Sequence, residues 1–456
     1  MRKTMDIKDP FCLMDIRQNA PYNLNNMNQI IEDLKKCFLV VDNTPEIFCF
    51  KDYDAINNVT CVSYVGQREA KQKLNKIIAG VRMSGNSGKN VTCWNIYLEN
   101  TVEFTVKGLK FFSQDPHVFS YFRGYDFQLV DEVDMEKIQP FLSHVHDIIC
   151  SGNEELYKYV LDWYASILQR PSFKTETALL IVGKQGSGKN KFFTDILCRL
   201  MVPYCNENLT NLDDIIGKFN AAMENKKLIV CNELQSIDVN KFLNSDALKS
   251  VITDKQMNIN QKNQPVRLQE NVVNLILVSN NMAPVKIENG DRRYVVLRTS
   301  DAKCKDFEYF DNLAQTFDEE FYQHLFTYFM TYDVTMVNLR KIPHTQAKED
   351  IMEASKNSVE LYVDDNWRFV EKKTGPVLYD HYRAYCERFG YQPMANRTFV
   401  AHLKSLTGES KLVYIEGKKT RVYSLLPSVV ERYQKRDKEI LEAEEEQAEL
   451  LKELTE

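Results

Sequence analysis

The stretch Ala178-Leu179-Leu180-Ile181-Val182-Gly183-Lys184-Gln185-Gly186-Ser187-Gly188-Lys189-Asn190 constrains this chain more than any other. A short apolar run rich in strand formers ends abruptly in a glycine-rich turn, and Lys-Phe-Phe-Thr-Asp-Ile-Leu-Cys-Arg-Leu follows at helical spacing. Glycines in such a turn let backbone N–H groups curl around an anion, and the helix behind points its positive end at the same spot. Lys189 adds a mobile charge for β- and γ-phosphates. Strand, Gly-x4-Gly-Lys and helix in that order read as a phosphate-binding loop, with Gly183, Lys184, Gln185, Gly186, Ser187, Gly188, Lys189 and Asn190 around the nucleotide. A similar ending upstream, Gly85–Asn90, has no strand before it, and Met83 stands where the first glycine belongs. It reads as a solvated turn.

A phosphate loop needs a metal site and a group that orients the attacking water. Leu228–Cys231 is a second apolar strand, ending in Asn232-Glu233. Glu233 at that strand end is placed to act as general base, and Asn190, Asn232 and Glu233 offer oxygens to Mg2+. Neutral amides at 190 and 232, where hydroxyl and carboxylate are usual, predict weak metal binding. A third strand, Val272–Ser279, ends in Asn280, whose amide can sense the γ-phosphate. Gly290-Asp291-Arg292-Arg293 enters a fourth strand, Tyr294–Leu297, and either arginine can reach a neighbour's nucleotide as a finger. Between the second and third strands, a helix ends near Lys255. Gln256–Asn260 and Pro265–Leu268 then predict a hairpin with Lys262 at its tip, suited to a phosphodiester backbone.

The 456 residues allow two to four domains, and the net charge of −6 restricts nucleic-acid contact to local basic patches. Eleven cysteines without Cys-x-x-Cys spacing argue against zinc and for reduced thiols. There is no apolar leader and no run of membrane length, so the expected protein is soluble, intracellular and without a membrane partner. Its site would be the cytoplasm, with the nucleus open as well. Residues 1–110 read as an α+β region that begins with a loose arm of about 28 residues. The region has strands at Phe38–Val41, Ile47–Phe50 and Val59–Val65, a helix near Glu69–Val81, and a strand pair Val91–Leu98 and Thr101–Val106. The aromatic stretch Asp115–Tyr125 suits base stacking or, more commonly, packing between two domains. Residues 111–170 read as a helical collar, 171–345 as the nucleotide domain and 427–456 as a charged tail helix. Residues 360–426 combine a helix Val377–Phe389, a second helix capped by Asn396-Arg397-Thr398, and a strand pair around Gly417-Lys418-Lys419. That pattern suggests a winged helix, with Arg397, Lys404, Lys418, Lys419 and Arg421 toward DNA phosphates.

The order Gly183–Asn190, Asn232-Glu233, Lys249 to Lys262, Ser279-Asn280 and Gly290–Arg293 resembles the superfamily 3 helicases, above all the primase-helicase ATPases of poxviruses, giant viruses, phages and mobile elements. The resemblance covers roughly residues 110–340. It implies an α/β fold with an AAA+-like phosphate-loop ATPase core, assembled as a ring, usually a hexamer, that moves along single-stranded DNA or a forked duplex. By motif it gives Lys189 to phosphate, Glu233 to acid/base catalysis, Asn280 to sensing, Arg292 or Arg293 to the finger, and Lys262 and Lys249 to DNA. ATP and Mg2+ are the implied cofactors. Residues 1–110 lack paired acids on strands for polymerisation, so priming would fall to a separate primase or polymerase. An ATP-switched loader or origin-binding scaffold, and an RNA helicase, share every one of these features. A small-molecule kinase fits less well, since the C-terminal unit has no purpose there.

Overall fold

A computed structural model describes residues 11–42, 46–54, 59–84, 86–210, 212–232, 243–262, 266–288, 290–415 and 418–453. The chain divides into two compact units, Met1–Ile351 and Met352–Glu456.

The first unit is built on a five-stranded sheet. Its strands in chain order are β1 (Ala178–Val182), β2 (Cys205–Leu209), β3 (Leu228–Cys231), β4 (Asn274–Ser279) and β5 (Tyr294–Arg298). They lie side by side as β2-β3-β4-β1-β5, all parallel. Parallel strands covered on both faces read as continuous apolar runs, and β1, β3 and β4 are buried at every position. The helices Met135–His144 and Glu154–Gln169 do not form a separate collar. Their Ile138, Phe141, Trp163 and Tyr164 share one core with Leu179, Ile181, Val295 and Leu297 of the sheet and with Phe321 and Phe329 of helix Glu319–Thr331. The helical repeat alone marked their apolar face, and that face finds the sheet.

The N-terminal part of this unit is a four-stranded sheet ordered Val59–Val65, Ile47–Asp54, Phe38–Val41, Thr105–Val106. Leu13–Asn19 is a helix with Ile16 buried, where the sequence suggested a loose arm. The expected helix Glu69–Val81 is shorter, Gln67–Asn75, and Ile78–Ser84 instead pairs with Ser87–Thr92 as a hairpin. Gly88-Lys89-Asn90 therefore lies on an exposed strand. The strand pair expected over Val91–Leu98 and Thr101–Val106 is mostly two helices, Cys93–Glu99 and Thr101–Phe104. Thr92 caps the first through Asn95 N, and Cys93, Trp94, Ile96 and Tyr97 are buried at helical spacing. Phe119 and Tyr121 of the aromatic stretch pack with Tyr64, Tyr204 and Val272, between the N-terminal sheet and the five-stranded one.

The second unit packs helices Ser358–Val370, Gly375–Phe389 and Asn396–Thr407 against a three-stranded antiparallel sheet of Lys373–Thr374, Lys418–Tyr423 and Lys411–Ile415. Ala395, not Asn396, occupies the N-cap of the third helix, so Asn396 opens the helix rather than capping it. The last helix, Pro427–Glu453, is more than a solvated tail: Tyr433 is 2% exposed and bonded to Asp364 inside this unit's core. Cys198 and Cys205 are recorded as a pair, whereas the other described cysteines are free and mostly buried, as expected of reduced thiols.

Candidate functional site

Strand β1 delivers the glycine loop at the carboxyl end of the sheet, where open parallel sheets bind ligands. Three glycines are demanded by the geometry. A Cβ on Gly183 would stand 2.0 Å from Thr299 Oγ1. Gly186 and Gly188 have φ of +86° and +80°, and a Cβ on Gly188 would meet Phe310 Cε1 at 2.7 Å and His144 Cε1 at 3.0 Å. The loop then enters a wide helical turn, Asn190–Thr194, continued by the helix Asp195–Leu200.

Lys189 is buried against the loop. Its Nζ lies within hydrogen-bond distance of four acceptors that share its three protons: Gly183 O at 2.9 Å, Lys184 O at 2.7 Å, Ser187 Oγ at 3.3 Å and Asn280 Oδ1 at 3.1 Å. Burial holds its ammonium below the ordinary lysine range, against the opposing pull of Cys304 and Asp301. Pairing of Ser279 with Val182 brings Asn280 beside Gly183, so the structure joins Lys189 and Asn280 as the sequence suggested. Asn232 follows β3, next to β4; its Nδ2 donates to Glu207 O, while its buried Oδ1 has no hydrogen-bond partner among the described residues. Glu233 lies outside the described residues.

Arg292 and Arg293 do not join Lys189 within one chain. Tyr294 pairs with Ala178 and Arg298 with Val182. The arginines thus precede β5 at the end of the sheet opposite the loop, about 16 Å away at the usual rise per strand residue. Arg292 is exposed, whereas Arg293 Nη1 is 3.1 Å from Asp291 Oδ2.

The hairpin is Gln256–Ile259 paired with Arg267–Glu270, its second strand starting two residues later than expected. Lys262 is exposed beyond the pairing. Lys249, 15% exposed, is held by Asp246 and Glu288 and is not presented to solvent as Lys262 is. In the second unit Arg397, Lys419 and Arg421 are exposed, Lys404 pairs with Glu409, and the side chain of Lys418 lies outside the described residues.

Several groups at the loop carry no sequence signal. Thr299 Oγ1 donates to Ser187 Oγ at 3.2 Å, Lys184 pairs with Asp301 at 2.6 Å, and Cys304 Sγ reaches Gln185 O at 3.1 Å. Buried His144 lies under Gly188 among Phe192, Tyr309 and Phe310, its Nδ1 3.0 Å from Tyr309 OH. Burial pushes its imidazole down to about 4. Asp195 and Glu207 are both raised, first by burial; the charge of Asp195 adds to the rise at Glu207.

A profile of the family of unknown function DUF5906 matches residues 181–293, and one described as Poxvirus D5 protein-like matches residues 360–447. The DNA primase-polymerase of Nitratiruptor phage NrS-1 is 34% identical over 140 residues, 30% of this chain and 19% of the phage protein. The match therefore spans about a fifth of that relative's length. A solved apo structure of the NrS-1 C-terminal region superposes with a TM-score of 0.57 at 19% identity, covering 88% of this chain and 99% of that one. An A-form apo structure of the same region gives 0.56 at the same identity and shares. At such identity the likeness is one of fold. Among the described residues, no helix is long and apolar enough to cross a membrane. The chain is thus similar to Poxvirus D5-like proteins over residues 360–447 and, in fold, to the NrS-1 C-terminal region over most of its length.

Proposed function

We propose that this chain is an ATP-dependent DNA helicase serving replication of a viral or mobile-element genome, acting as a ring of copies, most simply a hexamer. One observation carries the reading: Lys189 is a buried ammonium whose partners are loop carbonyls, Ser187 and Asn280, all of which an incoming phosphate oxygen can replace. In this reading Gly183–Asn190 form a phosphate loop in an AAA+-like core. ATP lays its phosphates along the loop's N–H groups, and Lys189 turns from the carbonyls of Gly183 and Lys184 to the β- and γ-oxygens. Asn280 stays within reach of both lysine and phosphate. Glu233 takes the proton of the attacking water. The unpartnered Oδ1 of Asn232 fits a cation ligand, and Asn190 and Glu233 would complete the set. Mg2+ bound there would neutralise charge on the phosphates. Arg292, the exposed member of the pair, would serve an adjoining copy's nucleotide.

Single-stranded DNA would meet Lys262 at the hairpin tip. Residues 360–426 would act as a winged helix, placing Arg397, Lys418 and Lys419 on phosphates, and a primer would come from a separate primase or polymerase.

The test is ATP hydrolysis with and without single-stranded DNA, strand displacement on a fork, and ring size by negative-stain imaging. DNA-stimulated hydrolysis and displacement, both lost in Lys189→Ala, are expected. Hydrolysis without displacement would leave a loader, displacement on RNA alone an RNA helicase, and no hydrolysis by the wild type would end the reading.

A further inference from the structure

The end of the sheet opposite the glycine loop holds a second cluster of cations. A cavity of about 140 Å3 there is lined by Glu176, Thr177, Thr253, Arg292, Arg293 and Arg340. Neither Arg340 nor Glu176 lies in any motif. Arg340 follows helix Glu319–Thr331 by nine residues, and Glu176 directly precedes the turn into β1.

The backbone places Arg340 firmly. Leu339 is buried, its carbonyl accepts from Tyr159 OH at 2.7 Å, and Arg340 N donates to Asn338 Oδ1. The guanidinium is 70% exposed, and its Nη2 lies 2.8 Å from both carboxylate oxygens of Glu176. Glu176 itself has φ of +58°, a conformation that a non-glycine residue adopts only when its surroundings impose it. Arg293 spends Nη1 on Asp291, while its buried Nε has no partner among the described residues. Three guanidiniums and a single carboxylate, that of Glu176, thus line the cavity, while Asp291 holds Arg293 from beside it.

We infer that this cluster is an anion site for a phosphoryl group, with Glu176 as its gate: the carboxylate holds Arg340 until a phosphoryl group replaces it. A guanidinium fork matches phosphate as well as carboxylate, and a doubly charged phosphoryl group outcompetes a half-buried, singly charged carboxylate for it. The anion comes either from the nucleotide on an adjoining copy's glycine loop or from a nucleic-acid backbone. The first source rests on the ATPase reading proposed above. Arg340 then acts beside Arg292 rather than through it.

Two experiments decide the matter. The first needs no hydrolysis. In Lys189→Ala, whose own loop lysine is gone, pyrophosphate is expected to raise the melting temperature; adding Arg340→Ala removes that rise, Arg340→Lys keeps part of it, and Glu176→Gln reaches it at roughly tenfold lower pyrophosphate. No rise in Lys189→Ala, or an equal rise with Arg340→Ala added, overturns the site whether or not the chain is an ATPase. The second identifies the source. Mixing Lys189→Ala chains with Arg340→Ala chains restores hydrolysis if Arg340 serves an adjoining copy's nucleotide. Oligonucleotide affinity weakened by Arg340→Ala, with hydrolysis intact, assigns the anion to a nucleic-acid backbone. A wild type that does not hydrolyse ATP would remove the ATPase reading and leave the pyrophosphate result to stand or fall alone.

Discussion

Replacing Gly188 by alanine tests the loop geometry against a built-in control. Gly188 has φ of +80°, and its new Cβ would lie 2.7 Å from Phe310 Cε1 and 3.0 Å from His144 Cε1. Left-handed alanine costs about 1 kcal/mol or more. Forcing a methyl between two packed rings adds about 1–3 kcal/mol, so the sum is about 2–4 kcal/mol. For cooperative unfolding of the 351-residue unit, an unfolding entropy of about 2.1 cal/mol/K per residue makes each kcal/mol worth about 1.4 °C. The melting temperature should therefore fall about 3–6 °C. Gly186→Ala is the control: φ is +86°, yet the nearest atom is Lys305 Cγ at 3.4 Å, an ordinary contact. Only the backbone term remains, and the fall should be about 1–2 °C. Differential scanning fluorimetry gives the shifts, and titration with a fluorescent ATP analogue follows the loop. The Gly188 variant should bind nucleotide more weakly than the Gly186 variant. Equal melting temperatures for the two, or a Gly188 variant within 1 °C of wild type, would refute the placement of His144 and Phe310 beneath the loop.

The neutral His144, held down at about 4 from its ordinary 6.5, takes up a proton in the unfolded chain first. Stability should therefore fall as pH drops from about 6.5 to 4, by roughly 3 kcal/mol, and His144→Phe should flatten that slope in denaturant titrations. Arg267 and Glu224, 9% and 13% exposed, form a buried pair beside the Tyr64 ring. Arg267→Ala should destabilise by about 3–5 kcal/mol, and Arg267→Met with Glu224→Gln by far less, as read by urea unfolding. Lys262→Ala should lower single-strand affinity and its salt slope by about one charge while leaving DNA-free hydrolysis intact; an unchanged slope takes the hairpin tip off the DNA. With amides at 190 and 232, hydrolysis should saturate only at high Mg2+, and saturation at micromolar metal would reject that metal site.

The loop is legible because everything that defines it lies within one unbroken stretch, Ala178 to Leu200: strand, turn and helix are local, and their residue types report backbone geometry directly. What covers the loop is not. His144 comes 44 positions before Gly188, and Thr299 to Phe310 more than 110 after it, joined to the loop only through tertiary packing. Cys93–Glu99 was misread because its apolar residues satisfy a strand pattern as well as a helical one. The Thr92 cap that settles it is a side-chain hydrogen bond, visible in sequence only as one more polar residue. The sequence shows the hairpin but puts its second strand two residues early. Its true start at Arg267 is fixed by an ion pair to Glu224, 43 positions away. Lys249 illustrates the same limit: Asp246 three residues earlier could be read as a helical neighbour, but Glu288 could not.

One covalent run links the two places where nucleotide and DNA would act. The hairpin's second strand ends at Glu270, Asn271 to Val273 connect it to the sheet, and β4 runs from Asn274 to Ser279 before Asn280 touches Lys189. The connection is held rather than slack. The buried Asn271 side chain donates to Val251 O and Asp254 O and accepts from Lys174 Nζ, and Val272 and Val273 are buried. Phe111 N donates to Glu270, and Arg267 is held by Glu224, so the root of the hairpin is fixed from the N-terminal side as well. A packed strand does not stretch, because its neighbours on both edges share its register. On the proposed function, a change in what Lys189 and Asn280 hold would move β4 along its axis or leave it still. Any such movement would reach the root of the hairpin at Arg267 along that covalent path.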